Sequence, residues 1–232
     1  MSLLLFVQSA GAEIAEAADA TAEIQEKINY FDLALKGGWI MIPLLILSII
    51  SAYIFIERYM ALKKAAKEDN TFMNRIKDYI HDGKIDSAIT LCQSQNYPIA
   101  RMIEKGISRL GRPLNDVNTA IENVGNLEIS KLEKGLPTLA TVAGGAPMIG
   151  FLGTVIGMVQ SFWNMSVAGN NIEVSMMAGG IYTALVTTVA GLIVGIFAYF
   201  AYNMLVAKVE KVVFNVEARS MEFMDILNEP AQ

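Results

Sequence analysis

The chain has 232 residues, of which 53% are hydrophobic and 18% are charged, and its formal net charge is −5. This much apolar surface excludes an ordinary soluble domain and indicates an integral membrane protein. Dispersed Lys and Arg residues argue against nucleic-acid binding. The single His81 and single Cys92 argue against a disulfide framework or a metal site, so no cofactor is expected. No constellation of catalytic side chains points to an enzyme.

Residues 1–38 predict an amphipathic helix on the outer, periplasmic side. Apolar side chains between Ala17 and Leu35 recur every three or four residues, while acidic side chains occupy the remaining surface. Gly37 and Gly38 end this helix. We expect no cleaved signal peptide, because the apolar run at residues 3–7 is short and no basic residue precedes it.

Residues 39–57 predict the first membrane span, which ends at Glu57 and Arg58. Large aliphatic side chains cover nearly every face of this helix, so we expect it to face lipid. Residues 58–136, which follow, are basic: 13 of the 18 Lys and Arg residues lie between Arg58 and Lys134. The positive-inside rule makes this a cytoplasmic helical domain, with the N-terminus outside and the C-terminus inside.

Two further spans are predicted at residues 137–164 and 175–206, joined by a periplasmic loop at residues 165–174. No charged residue lies between Lys134 and Glu173, or between Glu173 and Lys208. Each uncharged run is longer than the roughly 20 residues that a membrane helix needs. The third helix keeps its apolar spacing through residues 207–232 and should continue into the cytoplasm. The fold class is therefore all-α, with three transmembrane helices.

Small and hydroxyl side chains form a stripe at helical spacing on each of the last two spans. Lipid gains nothing from such residues, whereas a neighbouring helix packs closely against them. We therefore expect both stripes to face protein or a pore, and the two Gly-x-x-x-Gly pairs to pack within or between subunits. The residues in question are Ala143, Pro147, Gly150, Gly153, Thr154, Gly157 and Ser161 in the second span, and Ala184, Thr188, Gly191, Gly195, Ala198 and Tyr202 in the third.

Two stretches carry a family resemblance: residues 146–162, APMIGFLGTVIGMVQSF, and residues 180–203, GIYTALVTTVAGLIVGIFAYFAYN. They resemble the MotA/TolQ/ExbB proton channel family, and within it the ExbB branch. The resemblance implies a homopentamer in the bacterial inner membrane whose second and third helices line a central pore. It implies two copies of an ExbD/TolR-like single-span protein in that pore, and proton flow that drives a TonB-like protein in outer-membrane transport.

By position, Thr154 and Thr188 match the pore threonines of the family, and its packing signature matches Pro147, Gly150, Gly153 and Gly157. Thr183 and Thr187 lie about 100° away from Thr188 around the helix and could face either the pore or a subunit contact. Many family members have a Glu where this chain has Thr183. Because Thr does not ionise near neutral pH, the resemblance implies that an Asp of the partner carries the proton.

Three alternatives remain open on the sequence alone. Each threonine hydroxyl could simply bond a carbonyl of its own helix and pack against a neighbour. The chain could serve envelope constriction, as TolQ members of the family do, instead of TonB-dependent transport. It could also be a scaffold that does not conduct protons.

Overall fold

A computed structural model of the chain describes residues 37–66, 71–168 and 174–228. The predicted N-terminal helix, residues 169–173 of the predicted periplasmic loop and the last four residues lie outside these ranges. Within them all regular secondary structure is helical, with no strand. Seven helices are described: α1 (Met41–Ala65), α2 (Phe72–His81), α3 (Ile85–Gln93), α4 (Pro98–Ile107), α5 (Leu114–Glu133), α6 (Leu136–Ala168) and α7 (Val174–Asn228).

Three stretches are long and apolar enough to cross a membrane: α1, the stretch Leu114–Ala168 that contains α5 and α6, and Met177–Asn228 in α7. The chain thus has the all-helical architecture and the three candidate spans that the sequence predicts. Helix α7 is a single helix of 55 residues. Since about 20 residues cross a bilayer, much of α7 must lie outside the hydrocarbon.

Helix α1 presents apolar side chains on most of its surface. Ile42, Ile49 and Tyr53 are each more than 60% exposed, whereas Leu44 and Ser51 are buried. Such a helix is suited to contact lipid on its exposed faces. The helix also continues past Glu57 as far as Ala65, because charged side chains end an apolar run without ending a helix.

The chain divides into two compact units, each of which is described by itself. One comprises residues 37–42 and 151–190 of the described chain, and the other comprises residues 43–150 and 191–228. The second unit contains a conventional core, in which Ile76, Ile103, Ile121 and Phe223 are all at most 1% exposed. Gly106 lets α4 approach this core, since a Cβ there would lie 2.7 Å from Cε1 of Phe223.

The second unit also contains a break between α5 and α6. Gly135 has a φ of +88°, a left-handed conformation that favours glycine. The Arg58 side chain reaches this break from α1 and donates a hydrogen bond to the Lys131 carbonyl at 2.8 Å. The same guanidinium pairs with the Glu57 carboxylate at 2.6 Å. Arg58 therefore ties the end of α5 to α1.

Candidate functional site

Within residues 151–190, α6 and α7 meet along a seam of residues that have little or no side chain. A Cβ on Gly153 would lie 2.6 Å from Cβ of Thr187, and one on Gly157 would lie 2.9 Å from Cβ of Ala184. Real Cβ atoms do not come within 3.0 Å of such neighbours, so the helices could not approach this closely with alanine at either position. The seam closes within a single chain.

A second close approach of α6 and α7 lies in the other unit. A Cβ on Gly191 would lie 2.7 Å from the Ala146 carbonyl oxygen and 2.8 Å from Cα of Gly150. One on Gly195 would lie 2.5 Å from Cγ of Pro147. The Pro147 ring thus occupies the space that the Gly195 side chain vacates. Backbone contacts of this kind are typical of helices that associate within lipid.

Thr154 and Thr188 lie opposite each other at the edge of the α6–α7 seam. Both side chains are half-buried, and their hydroxyl oxygens are 3.4 Å apart. This distance is long for a hydrogen bond between hydroxyls, which usually measures about 2.7–2.8 Å. One turn before each threonine lies an exposed apolar side chain, Phe151 at 65% and Leu185 at 59%. The two hydroxyls therefore form a small polar patch on an otherwise apolar surface.

The two hydroxyls differ in their bonds to the backbone. Thr154 donates to the Phe151 carbonyl of its own helix at 2.5 Å. Thr188 lies 3.5 Å from the Ala184 carbonyl, at the limit for such a bond. A hydroxyl that donates to its own helix still has lone pairs for a further donor. The patch can accept hydrogen bonds from water or from a protonated carboxyl group.

Thr187 lies inside the seam and not at its edge. It is 1% exposed, packs against Gly153, and donates to the Ala184 carbonyl at 2.8 Å. Thr183 is half-buried and lies near Gly38, where an added Cβ would be 4.0 Å from Cγ2 of Thr183. The four threonines predicted for the pathway thus separate into an edge pair, one buried residue and one residue close to the start of α1.

Ser161 is a buried polar residue that the sequence indicated only as part of a stripe. It is 4% exposed and donates to the Gly157 carbonyl at 3.0 Å, and the Met177 carbonyl lies 3.5 Å from the same hydroxyl. A Cβ on Gly180 would collide with this hydroxyl. In the sequence, Ser161 was indicated by its position four residues after Gly157, which places the two residues on the same face of the helix.

Ionisable groups lie beyond the apolar part of these helices. The apolar runs contain no Asp, Glu, Lys, Arg or His from Gly135 to Ile172 or from Val174 to Ala207. Lys208 lies just after the second run, with its ammonium 4.7 Å from the centre of the Tyr59 ring. Among the described residues, no group of three or more His, Cys, Asp or Glu side chains could hold a metal ion. The site offers hydroxyl and carbonyl groups only.

Comparisons with known proteins agree on one family. A model of the MotA/TolQ/ExbB proton channel family matches residues 94–218, which include α6 and most of α7. The Tol-Pal system protein TolQ of Haemophilus influenzae is 33% identical over 222 residues, covering 88% of this chain and 96% of that protein. The biopolymer transport protein ExbB of Neisseria meningitidis serogroup A is 27% identical over 188 residues, covering 75% and 83%. The putative biopolymer transport protein ExbB-like 1 of Synechocystis sp. is 28% identical over 178 residues, covering 76% and 70%.

Proposed function

Since the chain belongs to the MotA/TolQ/ExbB proton channel family, we propose that it is an ExbB-type proton-channel subunit of the bacterial inner membrane. Its N-terminus is periplasmic and its C-terminus cytoplasmic, an orientation supported by the 13 Lys and Arg residues that follow α1's apolar part. Five copies surround a pore that α6 and α7 line. The family consists of channel proteins, and no enzymatic reaction is proposed.

The observation that carries the proposal is the pair of threonine hydroxyls at the edge of a seam closed by glycines. Thr154 and Thr188 form the polar patch, and the neighbouring apolar runs contain no Asp, Glu, Lys, Arg or His side chain. A proton that crosses a membrane needs a titratable group or a chain of water molecules. The hydroxyls can hydrate or bind such a group but cannot replace it.

A second polypeptide supplies the titratable group in this proposal. An ExbD/TolR-like single-span protein, present as two copies in the pore, places an Asp beside Thr154 and Thr188. Each proton that moves down 100 mV releases about 2.3 kcal/mol. This free energy shifts the populations of two packed states of the complex and thereby drives a TonB-like protein.

The other predicted pathway residues take different roles. Thr187 stabilises the seam, because its side chain is buried and its hydroxyl is bonded within α7. Thr183 lies close to Gly38 and contributes to packing near the start of α1. Pro147, Gly150, Gly153, Gly157, Gly191 and Gly195 hold α6 and α7 together, as their close contacts indicate.

A TolQ-type role in envelope constriction is the second candidate. The TolQ of Haemophilus influenzae covers more of this chain, 88%, than the ExbB of Neisseria meningitidis, which covers 75%. The two roles use the same pore and differ in the protein that is driven. Expression of this chain with its own partner in strains that lack ExbB or TolQ separates them, since only the matching defect is restored.

Substitution of the edge hydroxyls tests the pore assignment. Thr154→Val and Thr188→Val remove a hydroxyl while keeping the side-chain shape, and each should reduce proton flux by the complex in liposomes at least tenfold. Thr141→Val is the matched control, since Thr141 is an exposed threonine of α6 that donates to the Pro137 carbonyl at 2.9 Å. Wild-type flux in both edge variants, with the complex assembled, would contradict the assignment. A loss of assembly would mean that these residues serve packing.

A further inference from the structure

A groove of about 760 Å³ lies between α5 and the C-terminal part of α7, within the unit of residues 43–150 and 191–228. Part of its lining is apolar and rich in methionine: Met102 of α4 with Met221 and Met224 of α7. Gly125 of α5 lets Met102 lie against the helix, since an added Cβ would be 2.8 Å from Cε of Met102. Methionine is unbranched and adapts to the shape of a bound surface.

The groove is also acidic. Glu122 of α5 and Glu217 and Asp225 of α7 line it, and no Lys or Arg is among the described residues that do so. The Glu122 carboxylate accepts a hydrogen bond from the Asn118 amide at 2.7 Å. In the part of the chain that the structure describes, Glu217 and Asp225 form no hydrogen bond or ion pair of their own. Among the described residues, therefore, no Lys or Arg side chain neutralises the carboxylates of Glu217 and Asp225.

We propose that this groove binds a basic, partly apolar helical segment of a partner polypeptide. Charge complementarity indicates that the bound segment is positively charged. Nucleic acid and anionic lipid headgroups would be repelled by the carboxylates. The methionines, together with Leu114, which is 41% exposed at the groove, provide the apolar contact that a helix laid in a groove requires.

The spacing of the two acidic residues on α7 indicates which sequence the bound segment should have. Glu217 and Asp225 are eight residues apart, which is about 12 Å along a helix, and Met221 lies midway on the same face. A helix that pairs with this face needs Lys or Arg residues seven or eight positions apart, with a large apolar residue between them. The neighbouring side chains on both helices are Asn and Ser, which can hydrogen-bond without restricting the sequence of the occupant.

Peptide binding to the full-length chain tests the proposal. The protein is held in nanodiscs of zwitterionic lipid, and the probe is a fluorescein-labelled 15-residue helical peptide with Lys residues eight positions apart and Leu midway. Fluorescence anisotropy should show saturable binding that weakens as salt is raised from 50 to 300 mM. The double variant Glu217→Gln/Asp225→Asn should weaken this binding at least tenfold. Ser220→Trp, which fills the groove without changing its charge, should do the same.

The matched control removes two carboxylates elsewhere. Asp78→Asn/Glu133→Gln changes the net charge by the same amount at exposed positions outside the groove, and its affinity should stay within twofold of wild type. Circular dichroism and the mass of the complex monitor folding and assembly. Absence of binding by the wild-type chain, or equal weakening by the control, would overturn the proposal. So would a groove variant that binds the peptide normally but changes the number of subunits, since another copy of the chain would then occupy the groove.

Discussion

Two regions of this molecule are packed by opposite means. The α6–α7 seam in residues 151–190 closes through Gly153, Gly157 and Thr187, and the residues between the helices are small. The core that α4, α5 and the end of α7 share is filled by large side chains such as Ile121 and Phe223, which are fully buried. In water, burial of large apolar side chains drives association, whereas in lipid it does not. Close backbone contact then becomes the main source of stability.

Buried polar groups also differ between the two regions. In the seam, Thr187 and Ser161 satisfy their hydroxyls on carbonyls of their own helices. In the other unit, the buried Glu128 carboxylate pairs with Arg101 and, at 2.7 Å, with Lys131. A charge can be kept in the second region because its partners reach water. The polar side chains buried in the seam are neutral, which agrees with the proposal that the proton carrier comes from another chain.

The largest expected effect lies in the core that α4, α5 and the end of α7 share. Phe223→Ala removes a fully buried ring and should cost about 3–5 kcal/mol of stability. Phe214→Ala on the same helix is the control, since Phe214 is 70% exposed. Limited proteolysis of the purified protein over a temperature range measures the difference. Equal protease resistance of the two variants would mean that the end of α7 does not pack against α4 and α5.

At the second close approach of α6 and α7, where the contact is again made by glycine, the opposite substitution should be harmful. Gly191→Ala adds a Cβ against the backbone of Ala146 and Gly150, which cannot move aside, and should cost about 1–3 kcal/mol. Gly144→Ala is the control, because an added Cβ on Gly144 has nothing within 4 Å. Thermal aggregation of the detergent-solubilised protein should begin at a lower temperature for Gly191→Ala only. If both variants behaved alike, close approach of α6 and α7 would not be what stabilises them.

The smallest effect concerns the Cys92 thiol in α3. Burial raises the pKa of this thiol to about 12, so it is neutral at physiological pH. Its contribution to stability is complete below the ordinary thiol pKa near 9 and is lost as pH rises from there towards 12. Iodoacetamide at pH 8 should modify the folded protein at least a hundredfold more slowly than the unfolded chain. Equal rates would show that the thiol is exposed.

Features that depend on the local sequence pattern could be predicted from the sequence. Uncharged runs predicted the three candidate spans, and the steps of three and four residues predicted which residues of α6 and α7 are small on a common face. The pair Glu57 and Arg58, expected at the end of the first apolar run, forms an ion pair at 2.6 Å. These features require only helical periodicity and charge.

Other features depend on which helix packs against a given residue, and the sequence alone did not predict this packing. Thr187 and Thr188 are adjacent and chemically identical, yet only Thr187 is buried, because α6 lies over one of them through Gly153. The hydrogen bond from Arg58 to the Lys131 carbonyl joins residues 73 positions apart. The groove between α5 and α7 likewise combines faces that are distant in sequence.

In the proposed complex, this chain provides a pore but no proton carrier of its own. Proton flux into liposomes under an imposed potential tests this most directly, with the chain alone, with the proposed single-span partner, and with the proposed membrane Asp of that partner replaced by Asn. We predict flux only for the intact complex, and none above empty liposomes for the chain alone or for the Asn variant. Flux through the chain alone that equals that of the complex would contradict the account.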